Sequence, residues 1–331
     1  MRLRAAGVSI LLATALAAAA APAIAPNLPA EQFRDHLYAP PMRVHVFDDG
    51  GRIRLPFVYP IALVDRLGRR FEEDRTQVRT LVWFADGQLV QVADPADGPL
   101  LLLGADQLGR DVFSRLLLGA RASLGVAVVA AILALLVGGL FGAAAGTVGG
   151  LTDELLMRLA DFVLVLPALY VVLALRSVTP LVLSSSEVFA LMTGVFAVVG
   201  WPYVARGVRA IVVSERRQDY ALAARAIGVG RWRLLTRHLL PASFGFLAVQ
   251  ATLLIPGFIL AEATLSFVGL GFAAPTASWG VMLQEASNIR AIADFPWLLS
   301  PAATIVMVVL GINLVMRADR AHEPLRWVGR G

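Results

Sequence analysis

The sequence has no cysteine and no lysine; all 29 of its Lys-plus-Arg residues are arginine. Without cysteine the chain can hold no disulfide, no thiolate metal site and no cysteine nucleophile. Without lysine it can form neither the usual G-x-x-x-x-G-K-[ST] phosphate loop nor a Schiff base, so any ATP that drives this protein must be bound by another chain. Charge of either sign is scarce as well. Charged residues make up 16% of the chain, where a soluble domain carries about a quarter. Hydrophobic residues make up 58%, which points to lipid as the main solvent. The formal net charge is +5, yet the arginines gather beside apolar segments. That is the pattern of membrane topology and not of a nucleic-acid-binding domain.

Apolar runs of about 17–25 residues are candidate membrane helices. Six are present: Ala5 to Ala25, Ala122 to Ala145, Leu155 to Leu175, Val188 to Val204, Ser243 to Phe267 and Leu298 to Val315. The first also has the features of a signal peptide, with Arg2 and Arg4 at its start and Ala23-Ile24-Ala25 as a cleavage-like site. Pro26 directly after that site obstructs cleavage and favours a retained anchor; removal of the segment stays open as the alternative.

Arginine placement orients the six runs. Arg206, Arg209, Arg216, Arg217, Arg225, Arg231, Arg233 and Arg237 lie between the fourth and fifth, against Glu215 and Asp219. Arg317, Arg320, Arg326 and Arg330 follow the sixth, whereas Arg290 stands alone between the fifth and sixth. Positive loops stay in the cytoplasm, so six spans with both termini inside satisfy all three segments. That topology puts residues 26–121 outside. The first part of this segment reads as β structure: Arg43 to Phe47 alternates, Asp49-Gly50 offers a turn, and Arg52 to Val58 can return. Thr80 to Phe84, Asp86-Gly87 and Gln88 to Val92 repeat the pattern. His36 and His45 are isolated, and no catalytic constellation, metal site or internal repeat is legible.

The segment between the fourth and fifth runs is the most informative. Asp219 suits an N-cap, Tyr220 to Ile227 is alanine-rich and helical, and Gly228 stands where a C-terminal glycine belongs. A second amphipathic helix is predicted from Gly230, with Pro241 at the entry to the next span. Two short helices meeting at a glycine form a stiff elbow, and Ala223, Ala224 and Ala226 offer a small face that another protein could approach. An amphipathic helix lying on lipid headgroups fits the same pattern.

The stretch resembles the "EAA" loop of binding-protein-dependent ABC permeases, E-A-A-x3-G-x9-I-x-L-P. Ala223, Ala224, Gly228, Leu240 and Pro241 match, while Leu222 and His238 replace the family's glutamate and isoleucine. Leu103-Gly104-Ala105-Asp106-Gln107-Leu108-Gly109-Arg110-Asp111-Val112-Phe113-Ser114-Arg115-Leu116 is similar to the "GTDQLGRDVFSRL" signature of the oligopeptide/dipeptide/nickel permeases. Asp153 to Arg158, Ala261 to Gly271 and Ser278-Trp279-Gly280 extend the resemblance, which covers about Leu100 to Val315. Val315-Met316-Arg317 departs from the family's Gly-Asp-Gly.

The resemblance implies an all-α polytopic protein of the bacterial inner membrane, with six helices of the ABC type-1 permease fold and a small extracytoplasmic β-rich insertion after the first. The implied divisions are an anchor over 1–25, an extracytoplasmic segment over 26–117, a permease domain over 118–317 and a cytoplasmic tail over 318–331. It further implies a second permease subunit, two cytoplasmic ABC ATPase subunits and an extracytoplasmic substrate-binding protein as partners, with peptides or similar small solutes as substrate. No cofactor is implied. Tyr220, Ala223, Ala224, Arg225, Gly228, Arg231, Leu240 and Pro241 would form the element that docks on an ATPase subunit.

Ionisable groups at membrane depth are costly and invite a functional reading. Asp161 is a candidate for the path or for a structural hydrogen bond. Glu262, after Pro256-Gly257, is a candidate for gating or a subunit contact. Arg176 and Glu187 read as anchors at helix ends, and Trp201, Trp279, Trp297 and Trp327 as interface or packing residues. An ion-coupled secondary transporter is the rival reading, but it calls for central carboxylates and repeated halves. An intramembrane enzyme would need a nucleophile–base pair or metal ligands at depth, and no histidine lies within a predicted span.

Overall fold

The computed structural model describes residues 2–47, 52–66, 68–85, 88–92, 98–178 and 183–320. The chain is mostly helical, and contacts divide it into two units. One comprises Met1–Ser123 with Ala263–Gly331, the other Leu124–Glu262. Among the described residues four helices are long and apolar enough to cross a membrane. They are α3 (Val112–Val148), α6 (Ser185–Glu215), α10 (Phe244–Phe267) and α13 (Ser300–Arg320), the last entered through a 3-10 turn at Pro296–Leu299.

In the first unit the N-terminal helix α1 (Arg2–Ala19) runs against α13. Its apolar stretch, Leu3–Ala19, is shorter than a full span, and a separate turn, α2 (Ala21–Ile24), follows it. The two helices approach at glycine: a Cβ on Gly7 would lie 2.6 Å from the Gly311 carbonyl oxygen. Six strands follow α2. β1 (Val44–Phe47), β2 (Ile53–Val58), β5 (Arg79–Ala85) and β6 (Gln88–Val92) form an antiparallel sheet in that order. The predicted hairpins are therefore present, although their turns, Asp49-Gly50 and Asp86-Gly87, lie outside the described residues. Sequence reasoning missed the β2–β5 pairing and the hairpin of β3 (Ile61–Asp65) with β4 (Arg70–Glu73). The charges of Asp65, Arg66, Arg69, Arg70, Glu72 and Glu73 hide the alternation there. Val58, Leu81, Val90 and Val92 pack beneath the sheet with Met42, Leu100 and Leu101. His45 stacks on Phe57 and lies 3.7 Å from Glu73, a packing role.

The second unit departs from the predicted spans in two places. The single helix expected over Leu155 to Leu175 is two, α4 (Gly150–Val165) and α5 (Ala168–Val178). Pro167 causes the break, because the residue before a proline is pushed out of the helical region, and Leu166 adopts φ −77°, ψ 115°. The helix expected over Val188 to Val204 runs instead to Glu215. Its start is a capping box, in which the Glu187 amide donates to Ser184 Oγ at 3.3 Å and the Ser184 amide to Glu187 Oε2 at 2.7 Å. Glu187 thus lies at a helix end, as expected, and closes it. The Arg176 side chain lies outside the described residues.

Three glycines of α3, spaced four apart, face α6. A Cβ on Gly138 would lie 2.6 Å from the Trp201 carbonyl oxygen. On Gly142 it would lie 2.9 Å from Val208 Cβ and overlap the Ala205 carbonyl, and on Gly146 it would lie 2.8 Å from Val212 Cβ. The two backbones therefore meet as in small-xxx-small membrane packing. Gly139, one residue along, would meet nothing within 4 Å. The contrast gives a paired prediction for the thermal stability of the solubilised protein. Gly142→Ala should destabilise by about 1–3 kcal/mol through overpacking. Gly139→Ala should be neutral or gain up to about 1 kcal/mol from helix propensity. Equal melting temperatures for the two variants would contradict the seam.

Candidate functional site

The segment between α6 and α10 forms the predicted elbow, with changes in detail. α7 spans Asp219–Ala226, and its N-cap is Gln218 (φ −72°, ψ 151°), not Asp219, which sits in the first turn where a carboxylate suits the helix dipole. At the other end Gly228 has φ +83°. The Val229 amide donates to the Ala224 carbonyl at 3.0 Å and the Gly228 amide to the Arg225 carbonyl at 3.0 Å, the bond pair of a Schellman C-cap. The predicted second helix is α8 (Arg231–Leu234), a π-helical turn at Leu235–Leu239 and α9 (Leu240–Ala242). Pro241 accounts for the irregularity: a proline inside a helix lacks the amide and crowds the carbonyl four residues back. The Leu240 amide just before it reaches the Leu235 carbonyl five residues back.

Burial corrects the expected alanine face. Ala221 is fully buried and Ala224 partly so, packed with Leu234, Leu235 and Leu239 against Val204, Val208 and Val212 of α6. Ala224 is therefore half-buried against α6, while Ala223 and Ala226 are exposed. The outward face of α7 is Ala223, Arg225 and Ala226 with larger apolar groups, Tyr220, Leu222 and Ile227, the last 82% exposed; Trp232 of α8 is exposed too and borders a cavity with Leu140, Phe141 and Ala144 of α3. Pro241 is exposed and Leu240 half-buried, and the Arg231 side chain lies outside the described residues. The Tyr220 hydroxyl donates to Glu215 Oε2 at 2.6 Å, tying α7 to the end of α6. Partial burial, then the Glu215 carboxylate, push the Tyr220 pKa up to about 12, so it remains a donor at physiological pH.

Arg206 and Arg209, expected in the loop, lie within α6, and each meets an acid of α4. Arg209 pairs with Asp153, Nη2 to Oδ2 at 2.6 Å, and Arg206 pairs with Asp161. Neutralised in this way, they do not end the helix. Asp161 thus has the structural partner weighed as one of its two readings. Glu262 is fully buried in α10. Arg216 donates to the Gly146 carbonyl at the end of the glycine seam.

A second constellation, in the first unit, escaped sequence reasoning. Asp106, Arg110, Arg115 and Glu285 form a buried cluster at the start of α3. Asp106 Oδ2 accepts from Arg110 Nε at 2.8 Å and from Arg115. Glu285, at the end of α11 (Trp279–Glu285), accepts from Arg115 at 2.6 Å and lies 2.7 Å from Arg110. Asp111 caps α3, its carboxylate accepting from the Phe113 and Ser114 amides and the Asn27 side chain. Trp279 and Trp297 donate to the Leu116 and Ala105 carbonyls, the packing role among their two readings; Trp327 lies outside the described residues. Four charges within ten residues were a visible signal, but the pairing partner Glu285 is 170 residues away. Among the described residues no group of three or more acids and histidines is placed to hold a metal ion. Removing one member of a buried pair strands its partner, at a cost of about 3–5 kcal/mol. Glu285→Gln should therefore lower the melting temperature and the membrane abundance of the chain, read by thermal unfolding and immunoblotting; wild-type values would contradict the cluster's weight.

Comparison with known proteins gives the family. The family described as "Binding-protein-dependent transport system inner membrane component" matches residues 138–325, which include the α3–α6 seam and the elbow. The oligopeptide transport system permease protein OppC of Bacillus subtilis is 40% identical over 213 residues, 64% of this chain and 67% of the relative. A putative peptide permease protein of Brucella ovis is 40% identical over 213 residues, 64% of this chain and 68% of the relative. The dipeptide transport system permease protein DppC of Bacillus subtilis is 38% identical over 214 residues, 64% of each chain. With more than half its length matched, the chain belongs to the family of inner-membrane components of binding-protein-dependent transport systems.

Proposed function

We propose that the chain is one of two channel-forming subunits of an ATP-driven importer, and that the segment 215–241 couples it to separate ATPase subunits. The observation that carries this reading is the elbow itself. A Schellman cap at Gly228 joins two short helices, and the outward side of the first exposes Tyr220, Leu222 and Ile227 on a base anchored to α6. An exposed apolar patch on a rigid mount suits a protein partner. ATP-driven closure of the ATPase subunits would move the elbow and rock the membrane helices between discrete states. An extracytoplasmic binding protein delivers substrate, and the names of the relatives favour di- and oligopeptides as its class.

The proposed topology has six crossings with both termini cytoplasmic: α1, α3, α4 with α5, α6, α10 and α13. Residues 26–117 are extracytoplasmic. Arginine placement supports it. A reporter after Gly331 should report from the cytoplasm and a tag at Asp86 should be reached from outside; a cytoplasmic tag at Asp86 would refute the arrangement. The secondary-transporter alternative needs uncommitted carboxylates at depth, and the engagement of Asp161 by Arg206 argues against it.

Coupling is tested at Gly228. A Cβ there would meet nothing within 4 Å, so a substitution acts through the backbone alone, and left-handed geometry costs an ordinary residue about 1–2 kcal/mol. Gly228→Val should reach the membrane at normal abundance, hold the ATPase subunits weakly and lose uptake of labelled di- and oligopeptides. Normal uptake at normal abundance would instead favour a helix lying on the lipid surface.

A further inference from the structure

Movement of the elbow must pass into the membrane helices, and α6 is its direct continuation. Three residues, Arg216 to Gln218, separate α6 from α7, and Tyr220 is bonded back to Glu215. The glycine seam fixes the C-terminal half of α6 to α3. No comparable seam fixes α4. It leaves α3 through Gly149 and Gly150, both left-handed at φ +72° and +58°, and a Cβ on either would meet nothing within 4 Å. The joint leaves the direction of α4 to be set elsewhere.

Arg209 supplies that constraint. Its guanidinium presents Nε to Asp153 Oδ1 and Nη2 to Asp153 Oδ2, two parallel bonds. A forked pair fixes angle as well as distance. Arg206 and Asp161 repeat the pairing two turns further along α4, and Ala160 and Val163 pack on Trp201 and Ala205 between the helices. Where apolar side chains face each other in a membrane, lipid competes on nearly equal terms, so the fork adds register that apolar contact lacks.

We propose that Asp153 and Arg209 are a positioning pair that makes α4 follow α6 when the elbow moves. The proposal rests on the reading of the elbow as the coupling element. Disrupting the pair leaves the docking face untouched, so the ATPase subunits stay bound and hydrolyse ATP while transport uncouples from hydrolysis.

The test uses the complete transporter in proteoliposomes. It reads retention of the ATPase subunits, hydrolysis of Mg-ATP, and uptake of a labelled tripeptide pool per permease. Asp153→Asn and Arg209→Gln should each cut uptake about tenfold, with retention and hydrolysis within about twofold of wild type, as expected when one member of an interacting pair is removed. The exchange Asp153→Arg with Arg209→Asp should recover most of the uptake. Arg209→Lys, which keeps the charge but cannot form the fork and spares the fold if the neutral variants fail to accumulate, should cut uptake about threefold; wild-type uptake by it would overturn the role of the fork. Normal uptake in the neutral variants, an exchange no better than the worse single variant, or loss of the ATPase subunits from either would overturn the pair. If Gly228→Val also transports normally, the coupling reading fails with it; if Gly228→Val is dead while the pair variants are normal, only the pair proposal falls.

Discussion

The close approach of α3 and α6 at Gly138, Gly142 and Gly146 is the constraint on which the candidate site depends. In lipid, helices gain little by hiding apolar side chains from tails that are equally apolar, so they associate where small residues let backbones meet. The seam occupies the stretch of α6 that carries Val204, Val208 and Val212, and those same residues form the floor under the elbow. A bulky residue at Gly142 would therefore disturb the mount of the elbow without touching its exposed face.

Arginine is the second organising element. It cannot be deprotonated, so wherever it is drawn into packed structure it needs an acceptor. In the second unit, Arg206 and Arg209 pair with α4 where α6, about 46 Å long from its 31 residues at 1.5 Å each, extends past what a hydrocarbon core of about 30 Å requires. In the first unit, Arg110 and Arg115 tie the entry of α3 to the end of α11 through Asp106 and Glu285. Buried ion pairs contribute little net stability. Their consequence here is register, since the pairs to Glu285 join elements far apart in sequence.

Much of this was legible from sequence because lipid imposes length and hydropathy. The runs that became α3, α10 and α13, the two outer hairpins and the glycine-terminated loop helix all announce themselves locally. What was not legible depends on partners distant in sequence. The reach of α6 was hidden because Arg206 and Arg209 look like loop charges until Asp161 and Asp153 are seen beside them. The half-burial of Ala224 follows from which face meets α6, not from composition. Two misses had local signals. Pro167 marks the break after α4, and the four-residue spacing of Gly138, Gly142 and Gly146 marks the seam.

The central claim, that the outward face of the elbow meets an ATPase subunit, can be tested directly because the chain has no native cysteine. Single cysteines would be placed at Ala226, on the outward face, and at Ala221, fully buried beneath it. The assembled transporter would then be treated with a short thiol-to-amine crosslinker and the products identified by mass spectrometry. The account predicts a crosslink from position 226 to an ATPase subunit and none from position 221. An intact complex in which position 226 is thiol-accessible, yet never joins an ATPase subunit, would contradict it.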